Sequence, residues 1–337
     1  AEINALNAAK NDFPSQIKGC TAYVTLEPCS HFGRTPPCSK AFIEAGVDYV
    51  IIAMVDPDSR VSGNGIKMLR DAGIKVQTGL FEENAKKLNL SYIHNRIHKR
   101  PYIRCKLAAS LDGKTAMASG ESKWITSTEA RQDVQRLRAQ SCAIICGADS
   151  VLFDNARMNV RWSELGEVNK NYPIETLRQP LRIVIDSQSR LTPELALFQQ
   201  KSPVLIIRGD RENKADSKLE NLPIWPHFVK VAYLPRINTD EGKLKIDLKK
   251  LITFLAEQGL NDILLESGAK LCGAFIEQNL VNEIICYQAP KLIGGDGKNL
   301  LEMPGITKLK EAKALSISDI RMVGEDIRIT SQFINIK

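Results

Sequence analysis

Apolar residues at Ile3, Leu6 and Ala9 recur at helical spacing, which predicts an amphipathic helix over residues 1–10. Residues 21–26 (TAYVTL) are β-rich, and a polar, Pro-containing loop follows over 27–37. A helix is predicted over 39–45, stopped by Gly46. Residues 47–55 (VDYVIIAMV) form a continuous apolar run, the pattern of a strand buried on both faces. A helix over 65–72, a strand over 74–80 and a helix over 82–91 complete this part. Short helices alternating with strands imply an α/β layered sheet. The basic stretch 94–101 is expected to be a linker.

From Tyr102 the pattern restarts. Strands are predicted over 102–109, 143–146, 182–186, 204–208, 230–234, 262–266, 283–293 and 327–334. A helix over 127–139 has Thr126 or Ser127 as its N-cap, and a second over 247–258 ends at Gly259. No internal repeat or low-complexity tract interrupts this order.

Composition adds bounds. The chain has 337 residues, and at about 100–200 residues per domain two domains are expected, here 1–98 and 99–337. Hydrophobic content of 43% and charged content of 25% are those of a soluble globular protein. No apolar run reaches the roughly 18 residues of a membrane span, and the sequence opens on a helical pattern rather than on a leader, so a start inside a domain is expected. The net charge of +7 suits phosphorylated small molecules. No dense basic run with interleaved aromatics marks a nucleic-acid reader. Most of the eight cysteines sit in apolar runs and read as buried thiols of a cytoplasmic protein. Cys29 and Cys38 differ, because they lie in the polar loop.

That loop, TLEPCSHFGRTPPC over 25–38, offers two thiols, the second at the start of a helix. A helix N-terminus and a metal both favour the thiolate that binds zinc. A catalytic zinc takes three protein ligands and leaves one position for water. In zinc nucleobase deaminases the third ligand comes from a His-x-Glu on a helix, whose Glu moves protons without touching the metal. Glu2, followed by Ile3 and Leu6, fits that Glu; the corresponding His position falls immediately before Ala1. His31 reads as substrate-facing or structural. The plain alternative is two loop thiols and a solvated helix acid.

In the second half there is no G-x-G-x-x-G, so a Rossmann reading is unsupported. Gly268 and Gly273 bracket four residues, but no Gly-Lys-Ser/Thr follows, which excludes a Walker loop. Residues 268–274 follow a strand and open a helix, a turn able to present backbone N–H groups to a phosphate, or a plain strand-to-helix turn.

Taken in order, AEINAL, TLEPCSHFGRTPPC, DPDSRVSGNG, KLAASLDGKTA, GESKWIT, ARQDVQRLRA, LLESGAKLCGAFI and APKLIGG resemble the bifunctional riboflavin-biosynthesis deaminase/reductase family over almost the whole chain. The resemblance implies an α/β chain with an N-terminal cytidine-deaminase-like αβα domain and a C-terminal dihydrofolate-reductase-like domain. It implies zinc-dependent deamination of a diaminopyrimidinone ribosylamino 5′-phosphate, then NADPH-dependent reduction of the ribosyl group to ribityl. By the same resemblance, Glu2 is the proton shuttle and Cys29 and Cys38 are two of three zinc ligands. Ala108, Trp124, Ser150, Asp154, Ser187 and the run Gly268, Ala269, Lys270, Leu271, Cys272, Gly273 and Ala274 belong near NADPH. Ser122, Arg138, Met158, Arg161 and Glu266 belong near the substrate, where guanidinium groups suit a sugar phosphate. The family usually reads Asp-Asp-Pro where this chain has Asp154-Asn155-Ala156, and Thr where it has Ser150. The partner expected is a phosphorylated pyrimidine, not nucleic acid or membrane, and the chain is expected to assemble as a homo-oligomer, a dimer or tetramer. Two other readings stay open: a reductase with a silent deaminase site, and a nucleic-acid deaminase-like binding protein.

Overall fold

The computed structural model describes residues 1–33, 36–210, 223–238, 242 and 244–334. They form two compact units, Ala1–Arg100 and Pro101–Lys337.

In the first unit the elements are α1 (Glu2–Asp12), β1 (Thr21–Val24), α2 (Cys38–Ala45), β2 (Tyr49–Ile52), α3 (Asn64–Asp71), β3 (Lys75–Thr78), α4 (Glu82–Leu88) and α5 (Leu90–His98). The strands make a parallel three-stranded sheet in the order β1-β2-β3. Val50 and Ile52 of β2 are fully buried and meet Leu6 of α1, Phe42 of α2 and Leu69 of α3 in one core. Gly46 ends α2 at φ +72°, a left-handed conformation that glycine adopts without cost. Two expectations are corrected here. The single helix over 82–91 is broken at Asn89, and the stretch read as a linker is helical as far as His98. Its basic residues had masked a half-buried helix: α5 carries Tyr92, whose hydroxyl donates to Asp56 at 3.0 Å.

The second unit runs β4 (Tyr102–Ser110), β5 (Lys114–Ala116), α6 (Thr128–Gln140), β6 (Ala143–Gly147), α7 (Ala148–Asp154), β7 (Leu181–Ile185), β8 (Val204–Gly209), β9 (Val229–Leu234), β10 (Arg236–Asn238), β11 (Leu244–Ile246), α8 (Leu248–Glu257), β12 (Asp262–Leu265), α9 (Ala269–Glu277), β13 (Glu283–Ala289), β14 (Lys298–Asn299), β15 (Leu315–Val323) and β16 (Asp326–Phe333). Nine strands form one sheet, ordered β15-β16-β13-β4-β12-β6-β7-β8-β9. It is parallel from β13 to β9, and β16 and β15 add antiparallel at one edge. Apolar clusters cover both faces, one with Ile103, Leu251 and Phe275, the other with Ile144, Val151 and Leu197. That two-sided burial is why these strands read as unbroken apolar runs. Ser127 caps α6, its Oγ accepting the Ala130 N–H at 3.2 Å, and Asp247 caps α8. The strand expected over 283–293 stops at Ala289, before Pro290.

Helix α7 and strand β15 lie outside the elements that the periodicity predicted. In β15 the apolar residues Leu315 and Ile317 alternate, then the phase slips to Ile320 and Met322. A register irregularity between Ile317 and Asp319 accounts for the slip.

Candidate active sites

In the first unit, the loop after β1 and the first turn of α2 bring the two singled-out thiols together. The Cys38 N–H donates to Cys29 Sγ at 3.2 Å, and Cys38 Sγ lies 3.6 Å from Glu2 Oε2 of α1. A helix N-terminus thus faces Cys29 sulfur, and the α1 carboxylate faces Cys38. Burial, then the Glu2 charge and Cys29, push the Cys38 thiol up to about 12. Two thiols brought together by one loop are donor chemistry that suits zinc, and Glu2 stands beside them as the proton carrier, so these residues fit the metal. Among the described residues no group of three or more His, Cys, Asp or Glu side chains is arranged to hold a metal ion. The cysteines supply two of the three ligands that a catalytic zinc requires. His31 is exposed, and Arg34 and Thr35 of the same loop lie outside the described residues. Glu2 also lines a largely apolar cavity of about 480 Å³ under α1, with Leu6, Phe13, Tyr23 and Phe42.

In the second unit, β12 inserts between β4 and β6, and a cavity of about 800 Å³ opens where these strands end. Crevices at the carboxyl ends of parallel strands are where such sheets hold ligands. At its floor, Glu266 receives two bonds from Arg138, Nε to Oε1 at 2.7 Å and Nη2 to Oε2 at 2.9 Å. Arg138 also donates to the Asn159 carbonyl at 3.1 Å. Lys106 of β4 lies across from them, with Nζ 3.8 Å from Glu266 Oε2. Burial alone raises a carboxyl pKa, but the Arg138 charge and bonds outweigh it and hold Glu266 below the usual range. On the wall, Ser150 Oγ accepts the Gly268 N–H at 3.2 Å, and Ser267 Oγ accepts the Gly147 N–H at 3.1 Å. These bonds fix the strand-to-helix turn ahead of α9 against α7.

Of the residues the resemblance brought forward, Ala108, Ser122, Arg138, Ser150, Asp154, Met158, Glu266, Gly268 and Ala269 line this one cavity. Others stand apart from its lining. Trp124 is 62% exposed, with the Arg131 guanidinium 4.5 Å from its ring centre. Ser187 lies in the turn after β7. Arg161 is held by Glu164, Nε to Oε1 at 2.5 Å. Lys270 to Ala274 run into α9, where Cys272 is fully buried. A Cβ on Gly273 would come within 1.9 Å of the Glu302 carbonyl oxygen, so glycine there allows close backbone packing. Sequence reasoning missed Lys106, Arg190 and Lys298, three cations of the lining. The first sits in the motif KLAASLDGKTA, on a strand whose facing only the sheet reveals. The departure at Asn155 has a local explanation. Asn155 ends α7 at φ +47°, a conformation asparagine tolerates, and its Oδ1 accepts the Ala196 N–H at 2.9 Å.

A paired-thiol loop on a small parallel sheet and a ligand crevice in a nine-stranded reductase-type sheet define a deaminase joined to a reductase. Residues 1–54 match the cytidine and deoxycytidylate deaminase zinc-binding region, and residues 101–327 match the RibD C-terminal domain. The riboflavin biosynthesis protein RibD of Escherichia coli is 45% identical over 97% of this chain and 84% of its own length. Acinetobacter baumannii RibD superposes with a TM-score of 0.81 at 37% identity, over 99% of this chain and 85% of that one. A deaminase/reductase from Thermotoga maritima superposes at 0.79 with 26% identity, over 99% and 85%. The chain belongs to the RibD family of riboflavin-biosynthesis proteins. It is a bifunctional enzyme, with a zinc-dependent cytidine-deaminase-like domain and an NADPH-dependent dihydrofolate-reductase-like domain. Deamination precedes reduction, and the reductase-only and nucleic-acid readings are not favoured.

Proposed function

We propose that the chain deaminates 2,5-diamino-6-ribosylamino-4(3H)-pyrimidinone 5′-phosphate and then reduces its ribosyl group to ribityl, with the boundary between the two activities at residues 98–99. The observation that carries this reading is the pairing of the Cys29–Cys38–Glu2 cluster in one unit with the Glu266–Arg138–Lys106 crevice in the other.

In the deaminase unit, Cys29 and Cys38 are the zinc ligands this chain provides. Zinc, when bound, supplies a water acidic enough to give hydroxide near neutral pH. Glu2, beside Cys38, carries a proton to the ring nitrogen and then to the departing ammonia. The exocyclic C–N bond breaks and a carbonyl replaces it.

In the reductase unit, NADPH supplies the hydride, and the protein's task is to hold the nicotinamide against the acceptor carbon. The fit to this cofactor rests on the crevice itself: the turn at Gly268 and Ala269 that opens α9, the wall hydroxyls of Ser150 and Ser267, and cations at Lys298 and at Arg190, which also pairs with Asp149. Ala108, Ser150, Asp154, Gly268 and Ala269 line the cofactor side, with Trp124, Ser187 and the rest of the 268–274 run flanking it. Ser122, Met158, Glu266 and Arg138 line the substrate side, and Arg161 stands near it for the phosphate. Lys106 faces the sugar ring oxygen, whose bond to the acceptor carbon breaks as the hydride arrives, and its ammonium gives that oxygen the proton that completes the hydroxyl. Glu266 steers that ammonium.

Strand β15 is the open edge of the large sheet, and Leu315, Ile317, Ile320 and Met322 on it are 40–63% exposed. An edge with unpaired backbone groups and apolar side chains is a pairing surface. A second copy of this chain is its occupant in our reading, giving a dimer. All eight cysteines are free thiols, which fits a reducing cytoplasm. Among the described residues no helix is long and apolar enough to cross a membrane.

The test is product analysis by mass spectrometry after incubating the native full-length protein with the diaminopyrimidinone phosphate. Deaminated product alone without NADPH, and deaminated, reduced product with it, support the reading. An unchanged compound in both reactions, and with deaminated substrate supplied, refutes it.

A further inference from the structure

The mechanism leaves several buried carboxylates unused, and one of them, Glu27, borders the thiol loop. Glu27 is 2% exposed and stands two residues before Cys29. Its side chain accepts four backbone N–H groups: Asp56 at 3.2 Å and Gly63 at 2.9 Å on Oε2, Gly65 at 2.9 Å and Ile66 at 3.2 Å on Oε1. Three of those donors belong to the turn that opens α3, so the carboxylate also meets the positive end of that helix. A buried charge is tolerated only when it is bonded this fully.

The same spot fixes the thiol loop from two further sides. Ser39 Oγ donates to the Pro28 carbonyl at 3.0 Å and lies 3.1 Å from the Cys29 carbonyl, while the Ser39 N–H donates to the Cys29 carbonyl at 3.2 Å. Gly65 closes the contact, since a Cβ there would come within 2.0 Å of the Pro28 carbonyl oxygen. Backbone Pro28–Cys29 is therefore seated between α2 and the α3 turn, with Glu27 as the bolt. The segment that Glu27 holds continues the arrangement. Asp56 accepts the Asp58 N–H at 2.8 Å, and Asp58 binds Arg60, Nη2 to Oδ2 at 2.6 Å.

We propose that Glu27 is a positioning residue of the deaminase, which fixes Cys29 for zinc and locks the 56–66 segment to the zinc loop. This rests on the reading of Cys29 and Cys38 as zinc ligands. A glutamine keeps the shape of Glu27 but turns an NH2 toward N–H donors, leaving two of them without an acceptor. A shortened aspartate keeps the charge and cannot reach all four.

The experiment uses native full-length protein and follows zinc transfer to a chromophoric chelator, with Cys29→Ser as a control and thermal unfolding and reductase turnover recorded alongside. E27Q is expected to release zinc about 10- to 100-fold faster, with reductase turnover unchanged and E27D in between. Wild-type zinc release from folded E27Q overturns the proposal, including when E27Q merely unfolds at lower temperature. If E27Q does not fold, E27D takes its place under the same criterion. If Cys29→Ser holds zinc as wild type does, the ligand reading fails, and the proposal falls with it.

Discussion

Within the reductase crevice, the Glu266–Arg138 pair and Lys106 form one charged unit with different duties. Arg138 holds the carboxylate in place with two bonds, and Lys106 is left facing the crevice at 3.8 Å. Lys106→Met is expected to lower reductase turnover about 100- to 10,000-fold, the range for loss of a proton-transfer group. Deamination by the same protein should be unaffected; steady-state assays of each half-reaction check both. The pair also sets an acid limit. Because the folded Glu266 pKa lies below its unfolded value, its stabilisation is present above the unfolded pKa and is lost as pH falls through the folded one. Unfolding measured from pH 7 down to pH 3 should show this loss, and Glu266→Gln should flatten it. These side chains divide by how they could be read from sequence. Cys29, Cys38, Arg138 and Glu266 stood in specific motifs. Lys106 was passed over because a lysine in an apolar strand reads as a solvated edge until the sheet shows which face it occupies.

Helices and strands follow the same division. Strands buried on both faces were legible as apolar runs, and the caps Ser127 and Asp247 sit where the helices begin. What hid was whatever departed from period. The β15 bulge splits one alternating pattern into two, and the charges of α5 mask a helix. From sequence, 268–274 is either a phosphate-binding turn or a plain strand-to-helix turn, and the structure gives Gly273, inside α9, a packing duty against Glu302. Gly273→Ala should therefore destabilise the reductase unit by about 1–3 kcal/mol, the cost of overpacking. Chemical denaturation measures that loss. NADPH affinity in the protein that remains folded should stay near wild type, whereas a several-fold loss would show that the glycine serves the cofactor directly.

At the scale of the molecule, two units, each with its own apolar core, carry two successive reactions on one metabolite. The open β15 edge is where we propose that a second copy pairs. Ile320→Glu places a charge among the exposed apolar side chains, and light scattering should show the dimer falling to half its mass; an unchanged mass would place the interface elsewhere. The central claim is that the two chemistries reside in separate units with separate residues. The most direct measurement is of both half-reactions in Glu2→Gln and Lys106→Met variants of the native full-length protein. Glu2→Gln is expected to lose deamination but to reduce already deaminated substrate at the wild-type rate, and Lys106→Met to do the converse. Loss of both activities in either folded variant would contradict it.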